Sequence, residues 1–252
     1  MKEKVFFGNK KGKKLCGIIS DPTEDKEKPI IILVHGLSSG KDGRTFTTLE
    51  QTLNEKEISI FRFDLHGHGE SEGKFEDVTV SEAVDDILNA IDFLKGLGYS
   101  KIGLVGSSFG GISAMGAASK SKDVFVLALK APAINIKEKG GPNVEDRLED
   151  WKKKGYSNYV SGSQGKLKLN YTFMEDAEKH NGYDVAKDIK IPVLIVHGDQ
   201  DDAVPIEQSI KAADILENGQ LEILKGTGHD FKPIENFEKL IELISEFITK
   251  HS

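Results

Sequence analysis

The sequence predicts an α/β protein: a mostly parallel central sheet, an N-terminal antiparallel hairpin, helices on both faces and a small inserted cap. Three observations predict it. Short β-rich apolar runs alternate with amphipathic segments of helical spacing, the pattern of a parallel sheet covered on both sides. Several runs, such as Pro29 to Val34 and Ile191 to Val196, are almost continuously apolar, as strands buried on both faces are. No internal repeat or low-complexity linker divides the chain, and 252 residues suit one α/β domain spanning 1–252.

The elements follow in order. Lys4 to Phe7 and Leu15 to Ser20 read as the hairpin, with Lys10-Lys11-Gly12-Lys13-Lys14 as its solvated turn. Pro29 to Val34 is a buried strand, Thr45 to Lys56 a helix, and Ile58 to Asp64 the next strand. Thr79 to Leu97 carries Val80, Val84, Ile87, Leu88, Ile91 and Leu94 at helical spacing. Ile102 to Val105 is a strand, Phe109 to Ser119 a small-residue helix, and Val124 to Leu129 a strand. Beyond residue 190 come a strand at Ile191 to Val196, a helix at Ile206 to Leu216 and a short strand at Leu221 to Leu224. A last helix buries Phe237, Leu240, Ile241, Ile244, Phe247 and Ile248.

Residues 133–189 break the alternation. They are rich in charge, glycine and aromatics: Trp151, Tyr156, Tyr159, Tyr171, Phe173 and Tyr183. So long an excursion between two core strands is usually functional or disordered, and the aromatics argue against disorder. The expectation is a cap of short helices with a hairpin around Ser161 to Gly165. Most of its aromatics would glue it to the body, and at least one would line a pocket. Trp151, Tyr156, Tyr159, Tyr171 and Phe173 are the candidates for binding substrate.

The chemistry starts at Gly106-Ser107-Ser108-Phe109-Gly110, a Gly-x-Ser-x-Gly between a strand and a helix. A strand that turns sharply into a helix presents one serine, Ser108, at its apex. Side chains at Gly106 or Gly110 would crowd that turn. A serine hydroxyl needs an adjacent base, and a histidine needs an acid to orient it. Downstream, one strand ends at His197-Gly198-Asp199-Gln200-Asp201-Asp202, and the next at Gly226-Thr227-Gly228-His229-Asp230. His229 is the candidate base. Asp199, Asp201 and Asp202 compete as the acid, while Asp230 more readily caps or faces solvent.

Chain order Ser, Asp, His is that of the α/β-hydrolase superfamily. The chain resembles its small bacterial and archaeal carboxylesterases, including the cinnamoyl/feruloyl esterase and monoacylglycerol lipase branches. Val34-His35-Gly36-Leu37, Asp64-Leu65-His66-Gly67-His68-Gly69-Glu70-Ser71-Glu72-Gly73, the Ser108 turn, His197 through Pro205 and Gly228-His229 carry the resemblance, which covers nearly the whole chain. It implies an α/β-hydrolase fold and ester hydrolysis through an acyl-serine, with Ser108, Asp201 and His229 catalytic. It places the oxyanion donors at the backbone N–H groups of Leu37 and Phe109. Peptidase, thioesterase, perhydrolase and monoacylglycerol lipase activities share the scaffold, as do non-catalytic ligand-binding members.

Composition narrows the partners. Lys and Arg total 34 against 41 Asp and Glu, a net charge of −7, and no dense basic cluster suggests nucleic acid. The acidity weakly disfavours strongly anionic substrates. No apolar run is long enough to span a bilayer, and no apolar signal region follows Met1-Lys2-Glu3-Lys4, so a cytoplasmic location is expected. One cysteine, Cys16, excludes an internal disulfide. Asp64-x-His66-x-His68 superficially resembles zinc-hydrolase spacing, but Gly69-Glu70 stands where the last ligand pair would be. Asp199 to Asp202 lacks the glycine and terminal glutamate of a calcium loop. No metal and no cofactor is expected, and the partner is a small-molecule ester.

Overall fold

The computed structural model describes residues 1–138, 144–161 and 165–252. Among the described residues the main sheet has eight strands: β1 (Lys2–Gly8), β2 (Lys14–Ser20), β3 (Ile30–Val34), β4 (Ser59–Phe63), β5 (Ile102–Ser107), β6 (Val124–Lys130), β9 (Val193–Gly198) and β10 (Gly219–Leu224). Strands β7 (Tyr156–Ser161) and β8 (Gly165–Asn170) form a separate antiparallel pair. The sheet order is β1-β2-β4-β3-β5-β6-β9-β10. β1 pairs with β2, and β2 with β4, antiparallel; every later pairing is parallel.

Side chains on a strand alternate between faces, so each buried strand feeds two cores. Ile30, Ile32 and Val34 of β3 join one core, and Ile31 and Leu33 join the other. β6 divides likewise, Leu127 and Leu129 against Val126 and Ala128, and β9 places Val193 and Ile195 opposite Leu194 and Val196. The first core is closed by helices α2 (Val80–Gly96) and α3 (Phe109–Lys120), the second by α1 (Arg44–Asn54) and α8 (Ile234–His251). All six apolar residues expected on the inner face of α8 are buried. Thr79 caps α2 by accepting a hydrogen bond from the Glu82 N–H at 3.1 Å, which supplies one of the partners a helix start lacks.

Of the element boundaries that differ from the sequence reading, those of β9 and β5 bear on the site. β9 starts after Pro192, which has no N–H for a ladder. It also runs on through His197 and Gly198, which pair with Ile223 and Leu224. β5 likewise continues to Ser107, opposite Lys130. Both extensions carry strand order up to the residues that flank the site.

Between β6 and β9 lie α4 (Val144–Lys154), the β7–β8 pair, α5 (Thr172–Ala177) and α6 (Gly182–Ala186). The two strands expected around Ser161 to Gly165 are present, while the intervening residues 162–164 lie outside the described ones. α7 (Ile206–Ile215) connects β9 to β10. The insertion is tied to the body by Asp176, whose carboxylate accepts from the N–H and hydroxyl of Ser81 at 2.8 and 2.7 Å. Its centre is Trp151, buried, with Nε1 donating to the Leu169 carbonyl at 3.1 Å. Among the described residues no helix is long and apolar enough to cross a membrane.

Candidate active site

Ser108 sits between β5 and α3 with φ 54° and ψ −118°, a conformation that L-residues rarely adopt. The turn is pinned from three sides. The Ser108 N–H donates to the Lys130 carbonyl at 3.0 Å, and its own carbonyl accepts from Gly111 at 2.8 Å and Ala133 at 3.0 Å. The flanking glycines are required sterically. A Cβ on Gly106 would stand 2.5 Å from the Gly110 carbonyl oxygen, and one on Gly110 would collide with the carbonyls of Val34 and His35.

His229 bridges Ser108 to Asp201. Its Nε2 lies 3.0 Å from Ser108 Oγ, and its Nδ1 lies 2.7 Å from Asp201 Oδ2. With Nδ1–H donated to the carboxylate, Nε2 is left to accept the hydroxyl proton. The Asp201 carboxylate is fully buried while the His229 side chain is 22% exposed, so the imidazole reaches solvent and the carboxylate does not. Burial opposes ionisation of Asp201. Hydrogen bonds from His197, His229 and the Val204 N–H outweigh it and hold the carboxyl well below the usual range. Of the three competing acids, only Asp201 contacts His229 among the bonds of the described residues. Asp199 instead accepts from the Gly226 N–H at 2.7 Å, Asp202 faces the cavity, and Asp230 is an exposed partner of Lys232 at 3.5 Å.

The loop after β3 approaches from the other side. A Cβ on Gly36 would lie 3.3 Å from Ser108 Cβ, so the backbone leading into Leu37 runs directly against the serine. His35 orders that loop: Nδ1–H donates to the Gly36 carbonyl at 2.9 Å and Nε2 accepts from the Leu65 N–H at 3.0 Å. Two side chains of the Asp64–His68 segment, His68 and Asp64, are likewise engaged in loop structure. His68 Nδ1–H donates to the His66 carbonyl at 2.9 Å, and Asp64 accepts from Lys41 Nζ at 2.9 Å and the Glu70 N–H at 3.0 Å.

A cavity of about 460 Å³ opens at Ser108 under the insertion. Leu37, Phe109, Ile136, Tyr159, Phe173 and Val204 give it an apolar wall, with Asn135, Arg147, Asp202 and Gln208 as its polar members. Two of the aromatic candidates, Tyr159 and Phe173, therefore reach it. The other three do not line it. Trp151 stands behind, stacked on Phe173 with centroids 6.1 Å apart, because its indole N–H is drawn to β8. Tyr171 packs edge-on against Trp151, and Tyr156 lies at the surface with Lys168 Nζ 4.3 Å over its ring. Tyr183, also outside the wall, donates its hydroxyl to Glu138 at 2.7 Å.

Three contributors escaped the sequence reading. His197 touches Asp201, Lys130 stands beside His229, and Gln208 holds the strand exit by accepting from the N–H groups of Ile134 and Asn135 at 2.8 and 3.0 Å. A sequence signal existed for two of them. His197 opens the acid-rich segment after β9, and Lys130 is the one charge terminating an apolar run.

Residues 25–182, more than half of the chain, match the family described as serine aminopeptidase, S33, and the chain belongs to that family of α/β hydrolases. The mitochondrial palmitoyl-protein thioesterase ABHD10 of Bos taurus is 28% identical over 234 residues, which cover 90% of this chain and 75% of that protein. The structure of Est1E from Butyrivibrio proteoclasticus with ferulic acid bound superposes with a TM-score of 0.83 at 28% identity, over 98% of both chains. Mouse alpha/beta hydrolase domain-containing protein 10 shares the fold at 23% identity, with a TM-score of 0.81 over 99% of this chain and 100% of that one.

Proposed function

We propose that this S33-family hydrolase is a serine carboxylesterase that cleaves small to medium carboxylic esters through an acyl-enzyme on Ser108. The observation that carries the reading is the His229 bridge, 3.0 Å to the Ser108 hydroxyl and 2.7 Å to the Asp201 carboxylate. In this reading Ser108 Oγ attacks the carbonyl carbon as His229 Nε2 takes its proton. The tetrahedral oxyanion is met by the N–H groups of Leu37 and Phe109. Collapse expels the alcohol, protonated by His229, and water repeats the cycle on the acyl-serine. Asp201 fixes the imidazole orientation and stabilises its charged form. A pure binding protein would have no use for a strained serine with a base at hydrogen-bond distance.

Residues 133–189 act as the cap in this account, Tyr159 and Phe173 shaping the acyl pocket. A cavity of about 460 Å³ with aromatic walls suits a medium aliphatic or a hydroxycinnamoyl group. The resemblance to a ferulic acid-bound structure at 28% identity supports the same choice. Thioesters follow the same acyl-serine route, and the 28% identity to a palmitoyl-protein thioesterase favours including them.

The test is a fluorophosphonate probe with peptide mapping, alongside turnover of p-nitrophenyl esters of rising chain length, methyl ferulate, an S-acyl thioester and proline p-nitroanilide. Label on Ser108 with preferred turnover of the shorter esters and methyl ferulate is expected. Preferred anilide turnover would replace the reading by a peptidase, and label without any turnover would leave a binding protein.

A further inference from the structure

Ser108 stands between two cavities. The second, of about 390 Å³, shares Leu37 and Ser108 with the first but lies on the His229 side. Its wall includes Ser38, Ser39, Arg44, Thr45, Lys130 and His229. His229 does not line the first cavity. That asymmetry assigns the two halves of an ester. The histidine must protonate the departing oxygen, so the leaving group departs on the side His229 faces. The acyl group then takes the apolar cavity under the insertion.

The second cavity contains a buried cation that the hydrolytic steps do not use. Lys130 is the last residue of β6 and only 7% exposed. Its Nζ donates to the His229 carbonyl at 3.0 Å and stands 4.8 Å from the Phe231 ring. A carbonyl and a ring do not neutralise an ammonium, and a buried charge without a counter-charge is costly. Burial pushes its pKa down to about 8, against the pull of the Asp230 and Asp201 carboxylates. At the mouth, Arg44 is held with its guanidinium 3.8 Å over the Phe237 ring. Asp230 also lines this cavity, but its side chain is 69% exposed and paired with Lys232. The first turn of α1, which opens here, carries no acidic residue.

We propose that this second chamber receives the leaving group and that Lys130, with Arg44 at the mouth, selects leaving groups bearing an anionic oxygen group such as a carboxylate. The proposal rests on ester hydrolysis at Ser108. It also reverses, locally, what the net charge of −7 implies for anionic substrates. A focused cationic chamber outweighs a diffuse negative surface at short range, because salt screens distant charges far more than near buried ones.

Two chromogenic substrates test it: the butyrate ester of a hydroxy-nitrobenzoic acid and that of the matching hydroxy-nitrobenzamide. They release similar phenols and differ in one negative charge. The wild type is expected to favour the carboxylate by about tenfold in kcat/KM, the size of one charge-assisted hydrogen bond. Lys130→Met should collapse that ratio and Lys130→Arg should keep most of it. Loss of the His229 carbonyl contact slows both esters alike, so the ratio is the readout. A wild-type preference for the amide, or a ratio indifferent to Lys130→Met, overturns the proposal while leaving esterase activity intact. If neither ester turns over and no probe labels Ser108, the esterase reading falls, and this inference with it.

Discussion

His197 Nε2 lies 3.1 Å from Asp201 Oδ2, the same oxygen that His229 approaches to 2.7 Å. Nε2 also faces the Val204 carbonyl at 3.1 Å, and both neighbours are acceptors, so it carries a proton. His197 Nδ1 stands 2.6 Å from the Ser209 hydroxyl. The second histidine thus anchors the carboxylate from behind, while Oδ1 takes the N–H groups of Ala203 and Val204. His197→Ala should lower stability by about 1–3 kcal/mol in urea unfolding, since buried polar partners lose their bonds. As a positioning residue it should affect kcat more than KM. An unchanged kcat would mean that Ala203 and Val204 suffice to hold Asp201.

Asp201 also links the site to acid stability. Its carboxyl is depressed in the folded state, so its contribution is present above the ordinary carboxyl pKa of about 3.9 and is lost as pH falls below it. The stability advantage of the wild type over Asp201→Asn should therefore shrink as pH drops from about 5 to about 3. Thermal melts of both proteins across that range check it. A constant difference would remove the carboxylate's charge from the account.

The strained turn at Ser108 predicts a trade of stability against activity. At φ 54° and ψ −118° a side chain costs on the order of 1 kcal/mol or more, and glycine relieves it. Ser108→Gly should be inactive yet melt above Ser108→Ala. A lower melting temperature for the glycine variant would show that the surrounding bonds, not the residue, define the turn.

The aromatics of the insertion should separate by position. Tyr159→Ala and Phe173→Ala open the cavity wall and should change the ratio of kcat/KM between an aromatic and a short aliphatic ester. Tyr156→Ala, at the surface, should leave the ratio alone. Trp151→Ala removes the centre of the cluster and should cost about 3–5 kcal/mol of stability in the insertion. Equal shifts from Tyr156 and Tyr159 would detach specificity from the cavity wall.

What the sequence revealed follows from locality. Apolar runs such as Ile30 to Val34 define their strands, and the spacing of Phe237 to Ile248 defines the buried face of α8, because neighbours along the chain decide both. Ser108, Asp201 and His229 were legible because each follows a strand end, and parallel strands bring such ends to one edge of the sheet. The wall of the cavity was not. Whether Trp151 or Tyr159 faces it depends on how the insertion packs on Phe75 and Phe109, contacts with no periodic signature. Lys130 was missed for a related reason. Its direction is set by the registers of β6 with β5 and β9, which place it opposite Ser107 and Val196.

The central claim is that Ser108, and not its neighbour Ser107, carries the acyl group. Steady-state kinetics of Ser108→Ala and Ser107→Ala on one p-nitrophenyl ester, with circular dichroism of both, test it directly. Ser108→Ala should retain the wild-type spectrum and lose kcat by about four orders of magnitude or more, since a nucleophile and its base act as a unit. Ser107→Ala should keep much of the activity. A folded Ser108→Ala that turns over near the wild-type rate, or a Ser107→Ala that does not turn over, would contradict the account.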